Sequence, residues 1–172
     1  REPGGTKIAE KVRQILLDDH DEALHPDTEL FLMFSSRIQH IHQVVLPNLD
    51  QGRVVISDRF VDASYAYQGA GRQVGFEPID MICNQFIPKG ALPNMTFFMK
   101  APIELCLERM RQRGQLDRIE KESVSFFERV YQGYQDKIAR SPERYTCVDA
   151  TLTLDEITLN VEKILQEKMR IK

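Results

Sequence analysis

A carboxylate and a guanidinium stand side by side in the sequence, directly after a short apolar run. Asp58 and Arg59 come at the C-terminal end of Val54–Ile56. Because ligands of open α/β sheets lie beyond the carboxyl ends of the strands, this pair falls where a binding site is expected. The aspartate could hold Mg²⁺ directly or through water, and the arginine could donate paired hydrogen bonds to a phosphate. A surface ion pair at a strand end explains the dipeptide equally well.

Phe34 and Arg37 form a second pair, three residues apart, which places both side chains on one face of a helix. An aromatic ring there could stack on a nucleotide base while the guanidinium donates to the edge of that base. Phe34 also belongs to the apolar stripe of the same helix, so a place in the hydrophobic core is the alternative and the commoner use of such a residue.

The segment 62–72 mixes a hydroxyl, phenols and an amide with small residues. Ser64, Tyr67 and Gln68 could donate to and accept from the edge of a pyrimidine and crowd its sugar. Polar loops bordered by glycine are common, however, and this segment alone is not specific.

The stretch 109–121 is basic within an acidic chain. It holds five Lys or Arg residues and two Asp or Glu residues, a local charge of 5 − 2 = +3, and Gly114 inside it could serve as a hinge. Mobile cations such as Arg113 and Arg118 are what phosphoryl transfer needs over the transferred phosphate. Arginines that complement the dipole at a helix end are the alternative for any one of them.

Alternating apolar runs predict the elements that must hold these residues. Buried strands are expected at Val54–Ile56, Thr96–Met99 and Tyr145–Val148. Helices are expected at Thr6–Leu17, from an Asp27 N-cap to near Pro47, at Pro78–Phe86, from Pro102 to Gly114, at Ser123–Ala139 and at Leu154–Met169. The segment from Gly69 to Gly75 is expected to be a loop. Strands that alternate with helices predict an α/β fold of three layers around a parallel sheet, in a single domain over 1–172.

Composition limits the classes of protein. The 172 residues carry a net charge of −3 and 42% hydrophobic residues, which excludes disorder and argues against a nucleic-acid partner. No run is long and apolar enough for a membrane helix, so we expect no membrane partner. Cys83, Cys106 and Cys147 show no paired spacing, and we expect reduced thiols in a cytoplasmic protein.

Taken in order, the motifs resemble those of the bacterial thymidylate kinase family. The residues that carry the resemblance are Arg1-Glu2-Pro3-Gly4-Gly5-Thr6, Arg13, Phe34 with Arg37, Asp58-Arg59, Tyr67-Gln68-Gly69-Ala70-Gly71-Arg72, the stretch from Arg113 to Glu120, and Val148-Asp149-Ala150. Each motif is short, but their joint order and spacing are specific. The resemblance implies transfer of the γ-phosphoryl group of ATP to dTMP with Mg²⁺, in a P-loop nucleoside monophosphate kinase fold with a parallel sheet.

The resemblance also implies a role for each matched residue. At the base of dTMP, Phe34 stacks on thymine, Arg37 donates to an exocyclic oxygen, and Ser64 and Gln68 line the pyrimidine. At the other end of dTMP, Arg13 and Arg59 hold the phosphate, and Glu2 faces the deoxyribose and the phosphate. Tyr67 crowds a ribose 2′-hydroxyl. Asp58 lies near Mg²⁺, Arg113 and Arg118 in the lid serve ATP and the transition state, and Asp149 and Ala150 lie beside adenine. The family pattern implies a homodimer built on exposed apolar residues of the long helices.

The sequence departs from the family pattern at two places. In many relatives the stacking Phe lies four residues before the arginine, a place held here by Met33, so either Met33 or Phe34 could stack on the base. No G-x-x-x-x-G-K-[ST] motif occurs in the sequence. We therefore expect a portion of a longer kinase that lacks the first strands and the P-loop and is inactive without them. A kinase for another pyrimidine deoxynucleotide and a noncatalytic nucleotide-binding domain are the alternatives.

Overall fold

The computed structural model describes residues 1–169 and divides them into two compact units. The first unit comprises Arg1–Leu92 and Gln115–Arg140, and the second comprises Pro93–Gly114 and the described residues from Ser141 onward. Each unit has its own secondary structure. Within the part of the chain that the structure describes, no helix is both long and apolar enough to cross a membrane.

The first unit opens with two helices that pack against each other. Helix α1 spans Lys7–Leu17, which confirms the helix predicted there, and it is capped by Thr6, whose hydroxyl accepts from the backbone N–H of Ala9 at 3.1 Å. Helix α2 spans Pro26–His40. The predicted Asp27 cap is wrong: His25 caps this helix, because Pro26 fits the first helical position, where its missing N–H costs nothing.

The chain stays helical beyond α2, through a π-helical turn at Ile41–Val45 and a short α3 at Leu46–Leu49. The predicted strand at Val54–Ile56 is wrong. These residues are extended, but the structure's sheet contains no strand there, and the Val54 and Ile56 side chains are 66% and 88% exposed. An apolar run favours an extended backbone, but a strand also requires a neighbour with which to form a hydrogen-bond ladder.

The first part of the segment predicted as a loop, residues 69–71, is helical, whereas residues 72–76 contain no helix, as predicted. Helix α4 spans Val61–Ser64 and continues as a π-helical segment at Tyr65–Gly71, followed by α5 at Glu77–Phe86. The glycine at position 71 serves close packing: a Cβ there would lie 2.7 Å from Cε2 of Phe126. The prediction missed the helical part because glycine signals a turn in isolation, whereas at position 71 it admits a neighbouring helix.

That neighbouring helix is α7, and α6 precedes it in the chain as part of the second unit. Helix α6 spans Ile103–Gln112 and helix α7 spans Val124–Arg140. Phe126 and Val130 of α7 join Leu16 and Met33 in one apolar cluster of the first unit. A second cluster of that unit contains Leu30, Phe34, Ile41, Val61 and Ile79. These clusters fix α2 and the segment 61–71 in place.

The second unit is a parallel βαβ arrangement. Strand β1 at Thr96–Lys100 pairs in parallel with β2 at Tyr145–Asp149, in a register that aligns Thr96 with Tyr145 and Lys100 with Asp149. Helix α6 follows β1, and helix α8 at Leu154–Met169 follows β2. The predicted strands at 96–99 and 145–148 and the predicted helices that follow them are confirmed.

Candidate active site

A cleft in the first unit brings together residues from several separate parts of the chain. It is lined by Glu2, Pro3, Met33, Arg37, Arg59, Ala63, Ser64 and Gln68. The N-terminal turn, α2, the end of the extended run 54–56 and helix α4 with its π-helical extension each contribute. Five of the residues that the sequence analysis singled out, Glu2, Arg37, Arg59, Ser64 and Gln68, therefore share one surface.

Arg37 is the most constrained side chain of the cleft. Its Nε donates to Oε2 of Glu2 at 2.7 Å, one terminal nitrogen donates to Oγ of Ser64 at 2.9 Å, and the other donates to the carbonyl of Phe60 at 3.0 Å. The Arg37 side chain is 3% exposed and that of Glu2 is 1% exposed. Such a buried pair needs this full set of partners, because an unpaired charge there would be costly. The guanidinium is thus held in a fixed orientation before any ligand binds.

His40 completes the surroundings of Glu2, and the sequence analysis missed it. Its Nδ1 lies 2.8 Å from Oε1 of Glu2, so Nδ1 carries the proton that it donates to the carboxylate. Gly5 allows this approach, since it has a φ of +92° and a Cβ there would lie 2.7 Å from Cδ2 of His40. The signal was present in the sequence, because His40 follows Arg37 by three residues and shares its helix face.

The structure places Met33, and not Phe34, in the cleft wall. Met33 lines the cleft together with Arg37, and Phe34, the next residue, is turned about 100° around the helix axis from Met33. Phe34 is 2% exposed, lies in the core cluster, and has the Arg37 guanidinium 4.8 Å from its ring centroid. Phe34 was expected in the cleft but does not line it, because its side chain packs into the core.

Positive charge collects around Arg59. Arg59 has a φ of +66°, a backbone conformation that non-glycine residues rarely adopt, and its guanidinium lies 4.2 Å from the centroid of the Tyr67 ring. Arg13 donates to the carbonyl of Pro3 at 2.9 Å. Partial burial and the cations Arg1 and Arg59 lower the pKa of Arg13, against the opposing effect of the carboxylates Glu10 and Asp117.

Glu29 is a second buried carboxylate, and the sequence analysis did not identify it. It is fully buried and accepts from Nε2 of Gln68 at 2.8 Å, from a terminal nitrogen of Arg118 at 2.6 Å, and from Arg72. Burial alone would raise the pKa of Glu29, but the hydrogen bonds from Arg72, Arg118 and Gln68 outweigh it and hold that pKa below its usual value. The carboxylate therefore stays ionised at neutral pH.

The predicted lid stretch is divided between the two units. Its first part is the end of α6, which is capped by the exposed Arg113, and Gly114 follows with a φ of +97°. Arg118 lies in the first unit, where its Nε also donates to the carbonyl of Leu16 at 2.9 Å. The structure thus places Arg118 against α1 and α2.

The residues predicted to lie beside adenine follow β2 in the second unit. The exposed Asp149 carboxylate accepts from the backbone N–H and the hydroxyl of Thr151, at 2.9 and 2.6 Å, and these bonds lower its pKa. The carbonyl of Ala150 accepts from Arg109 at 2.7 Å. Both residues therefore belong to an ordered turn at the carboxyl end of a strand, the usual place for a ligand.

Asp58 is the carboxylate that the sequence analysis assigned to Mg²⁺. It is exposed, and its carbonyl accepts from the backbone N–H of Glu2 at 2.9 Å. Residues 1–169 contain no cluster of three acidic, imidazole or thiolate side chains that could hold a metal by themselves. Mg²⁺ in kinase sites is held by one or two carboxylates together with phosphate oxygens and water, so a single exposed aspartate fits this mode of binding.

Comparison with known proteins identifies the relatives of this chain. A family model described as thymidylate kinase matches residues 1–161. Thymidylate kinase of Pseudomonas putida is 45% identical over 165 residues, which cover 96% of this chain and 78% of the relative, and that of Acinetobacter baylyi is 49% identical over 152 residues, covering 88% and 74%. The crystal structure of thymidylate kinase from Ehrlichia chaffeensis superposes with a TM-score of 0.73 at 29% identity, covering 96% of this chain and 78% of that one.

The parallel α/β fold, its structural neighbour and the cleft define a P-loop nucleoside monophosphate kinase fold. Within that class, the chain belongs to the thymidylate kinase family. The resemblance of the motifs in the sequence is therefore confirmed. The reaction of this family is the phosphorylation of dTMP to dTDP, with ATP as the phosphate donor.

Proposed function

We propose that the cleft of the first unit is the dTMP site of this kinase and that its residues position dTMP for transfer of the γ-phosphoryl group of ATP. The observation that carries the proposal is the convergence of Glu2, Arg37, Arg59, Ser64 and Gln68 on one surface. They come from separate parts of the sequence, and together they provide hydrogen-bonding groups for a base and a cation for a phosphate.

The base end of the site is formed by α2 and the segment 61–71. Arg37 keeps N–H groups beyond those bound to Glu2, Ser64 and Phe60, since a guanidinium has five, and these donate to an exocyclic oxygen of thymine. Met33 covers the face of the base with its thioether, in the role first given to Phe34. Tyr67, beneath Arg59, crowds a ribose 2′-hydroxyl.

The phosphate end is formed by Arg13 and Arg59. Arg59 lines the cleft, and Arg13 donates to the carbonyl of Pro3, which also lines it, so these two guanidinium groups suit a phosphate monoester. Glu2 faces the deoxyribose and the phosphate from its fixed position beside Arg37 and His40.

Catalysis in such a site depends on positioning and on charge. The phosphate oxygen of dTMP attacks the γ-phosphorus in line, and no covalent intermediate on the protein is needed. Mg²⁺ bound near Asp58 would neutralise phosphate charge. Arg113 and Arg118 would stabilise the oxygens of the transferred group. Asp149 and Ala150 would contact adenine.

A substrate panel on the native-length protein tests the reaction. With ATP and Mg²⁺, we expect kcat/KM to be highest for dTMP among dTMP, dUMP, dCMP and thymidine. Formation of dTDP with release of ADP supports the proposal. Binding of dTMP by calorimetry without binding of ATP or turnover would contradict it and would favour a noncatalytic domain.

We further propose a homodimer in the cytoplasm. Ile8 and Ile15 of α1 and Phe31 of α2 are 58%, 46% and 61% exposed, and contact with a second copy would bury such side chains. The free thiols of Cys83, Cys106 and Cys147 suit a reducing compartment. Sedimentation velocity tests the dimer: Phe31→Ser should weaken association, whereas Leu159→Ser on α8, at a side chain 64% exposed, should not.

A further inference from the structure

We infer that Glu29 is a specificity-determining positioning residue: by binding the amide nitrogen of Gln68, it fixes the amide so that only its carbonyl oxygen faces the cleft. The inference rests on the proposed place of the base in this cleft. Glu29 itself does not line the cleft, so it acts through Gln68.

The orientation of the Gln68 amide is set by charge. Nε2 of Gln68 donates to Oε1 of Glu29 at 2.8 Å, and the fully buried Glu29 side chain also binds Arg72 and Arg118. A carboxylate can only accept hydrogen bonds. Rotating the amide by half a turn would place two acceptors against each other in a buried site, so the reverse orientation is excluded.

The carbonyl oxygen of the same amide is available to a ligand. Gln68 is fully buried and lines the cleft, and its Oε1 has no hydrogen-bond partner in the structure. A buried carbonyl without a partner is uncommon, because leaving it unsatisfied costs free energy. In the cleft, Oε1 of Gln68 is therefore a hydrogen-bond acceptor that a donor on the ligand can satisfy.

This acceptor distinguishes between pyrimidines. The ring nitrogen N3 of thymine and uracil carries a hydrogen, whereas N3 of cytosine is an acceptor. Oε1 of Gln68 can accept from the imide N–H of thymine, but it would face a second acceptor in cytosine. A glutamine that was free to rotate could turn its NH₂ group toward cytosine, and Glu29 removes that option. Selectivity for an imide base thus arises from the rigid orientation of the amide.

The test compares the binding of dUMP and dCMP to the native-length protein by calorimetry without ATP. These two ligands share the sugar and the phosphate and differ only in the base edge, so losses at the phosphate or in the lid cancel in the ratio of their Kd values. Glu29→Gln keeps the shape but offers both a donor and an acceptor. We expect this variant to reduce the dUMP preference by about tenfold or more, the cost of one buried unmatched polar pair.

A double-variant cycle shows whether Glu29 acts through Gln68. In a Gln68→Leu background, Glu29→Gln should no longer change the dUMP to dCMP ratio. The matched control is Glu122→Gln, which removes another partner of Arg72 but does not contact the Gln68 amide, and it should leave the ratio unchanged. Should Glu29→Gln fail to fold, Glu29→Asp, which keeps the charge but withdraws the carboxylate from Nε2, supplies the same comparison.

An unchanged ratio in a folded Glu29 variant overturns the inference, as does an equal effect of Glu29→Gln with and without Gln68. These results are independent of the proposed reaction, because no phosphoryl transfer is measured. A wild-type protein that prefers dUMP over dCMP but forms no dTDP with ATP would contradict the proposed function and leave the role of Glu29 intact.

Discussion

At the scale of single residues, the cleft depends on side chains that are held in place before a ligand arrives. Arg59 illustrates this, because its backbone lies at a φ of +66° and its guanidinium rests on Tyr67. We expect Arg59→Ala to lower kcat/KM for dTMP by roughly a hundredfold, from the loss of charge-assisted bonds to the phosphate. Arg53→Ala, at an exposed arginine six residues earlier, is the control and should change kcat/KM little. Equal activities of the two variants would remove the phosphate-binding role.

His40 makes a prediction about stability at the same scale. His40→Leu leaves the buried Glu2 carboxylate without one of its partners, so we expect the free energy of unfolding to fall by about 1–3 kcal/mol. Denaturation in urea measures the loss, and His42→Leu, at an exposed position two residues on, should change stability by less than about 0.5 kcal/mol. Similar losses in both variants would show that His40 is not needed to support Glu2.

At the scale of elements, α7 and the π-helical segment 65–71 fit together only because small residues meet. A Cβ at Gly133 would lie 2.6 Å from Cβ of Ala70 and 3.0 Å from Cα of Ala66. We expect Gly133→Ala to destabilise the protein by about 1–3 kcal/mol through overpacking, although alanine favours a helix. Gly90→Ala, where no atom lies within 4 Å of a new Cβ, should be nearly neutral in thermal unfolding. A more stable Gly133→Ala variant would contradict the close contact.

Glu29 joins three elements, because it binds Gln68 and Arg72 of one segment and Arg118 of another from its place on α2. Its pKa is lowered in the folded state, so its contribution to stability is present above the usual value of 4.5 and is lost as the pH falls through the lower folded pKa. We expect the unfolding free energy of Glu29→Gln to fall less steeply below pH 4.5 than that of the wild type. Glu128→Gln, at an exposed carboxylate, should retain the wild-type slope.

At the scale of the whole molecule, the cleft belongs to one of the two compact units. All of its lining residues lie within Arg1–Leu92. Because a ligand protects the backbone that it orders, we expect dTMP to slow hydrogen exchange in α2 and in segment 61–71, and to leave β1 and β2 unchanged. Mass spectrometry of the exchanged protein measures this, with inorganic phosphate as the control ligand. Equal protection of β1 and β2 would place the dTMP site elsewhere.

The sequence by itself determined the helices at 7–17, 77–86, 103–112 and 154–169, the parallel strands of the second unit and the family. These follow from local periodicity, capping residues and the order of short motifs, all of which are present in a linear chain. The motif residues Glu2, Arg37, Arg59, Ser64 and Gln68 could be named for the same reason.

Only the tertiary structure decided which of those residues meet and what holds them. His40 and Glu2 are 38 residues apart, and Arg118 and Glu29 are 89 apart, so no local pattern pairs them. The rotation of α2 against its core put Met33 in the cleft and Phe34 behind it. Strand pairing and buried polar contacts depend on partners that folding brings near, and a sequence pattern records the preference of a residue but not its partner.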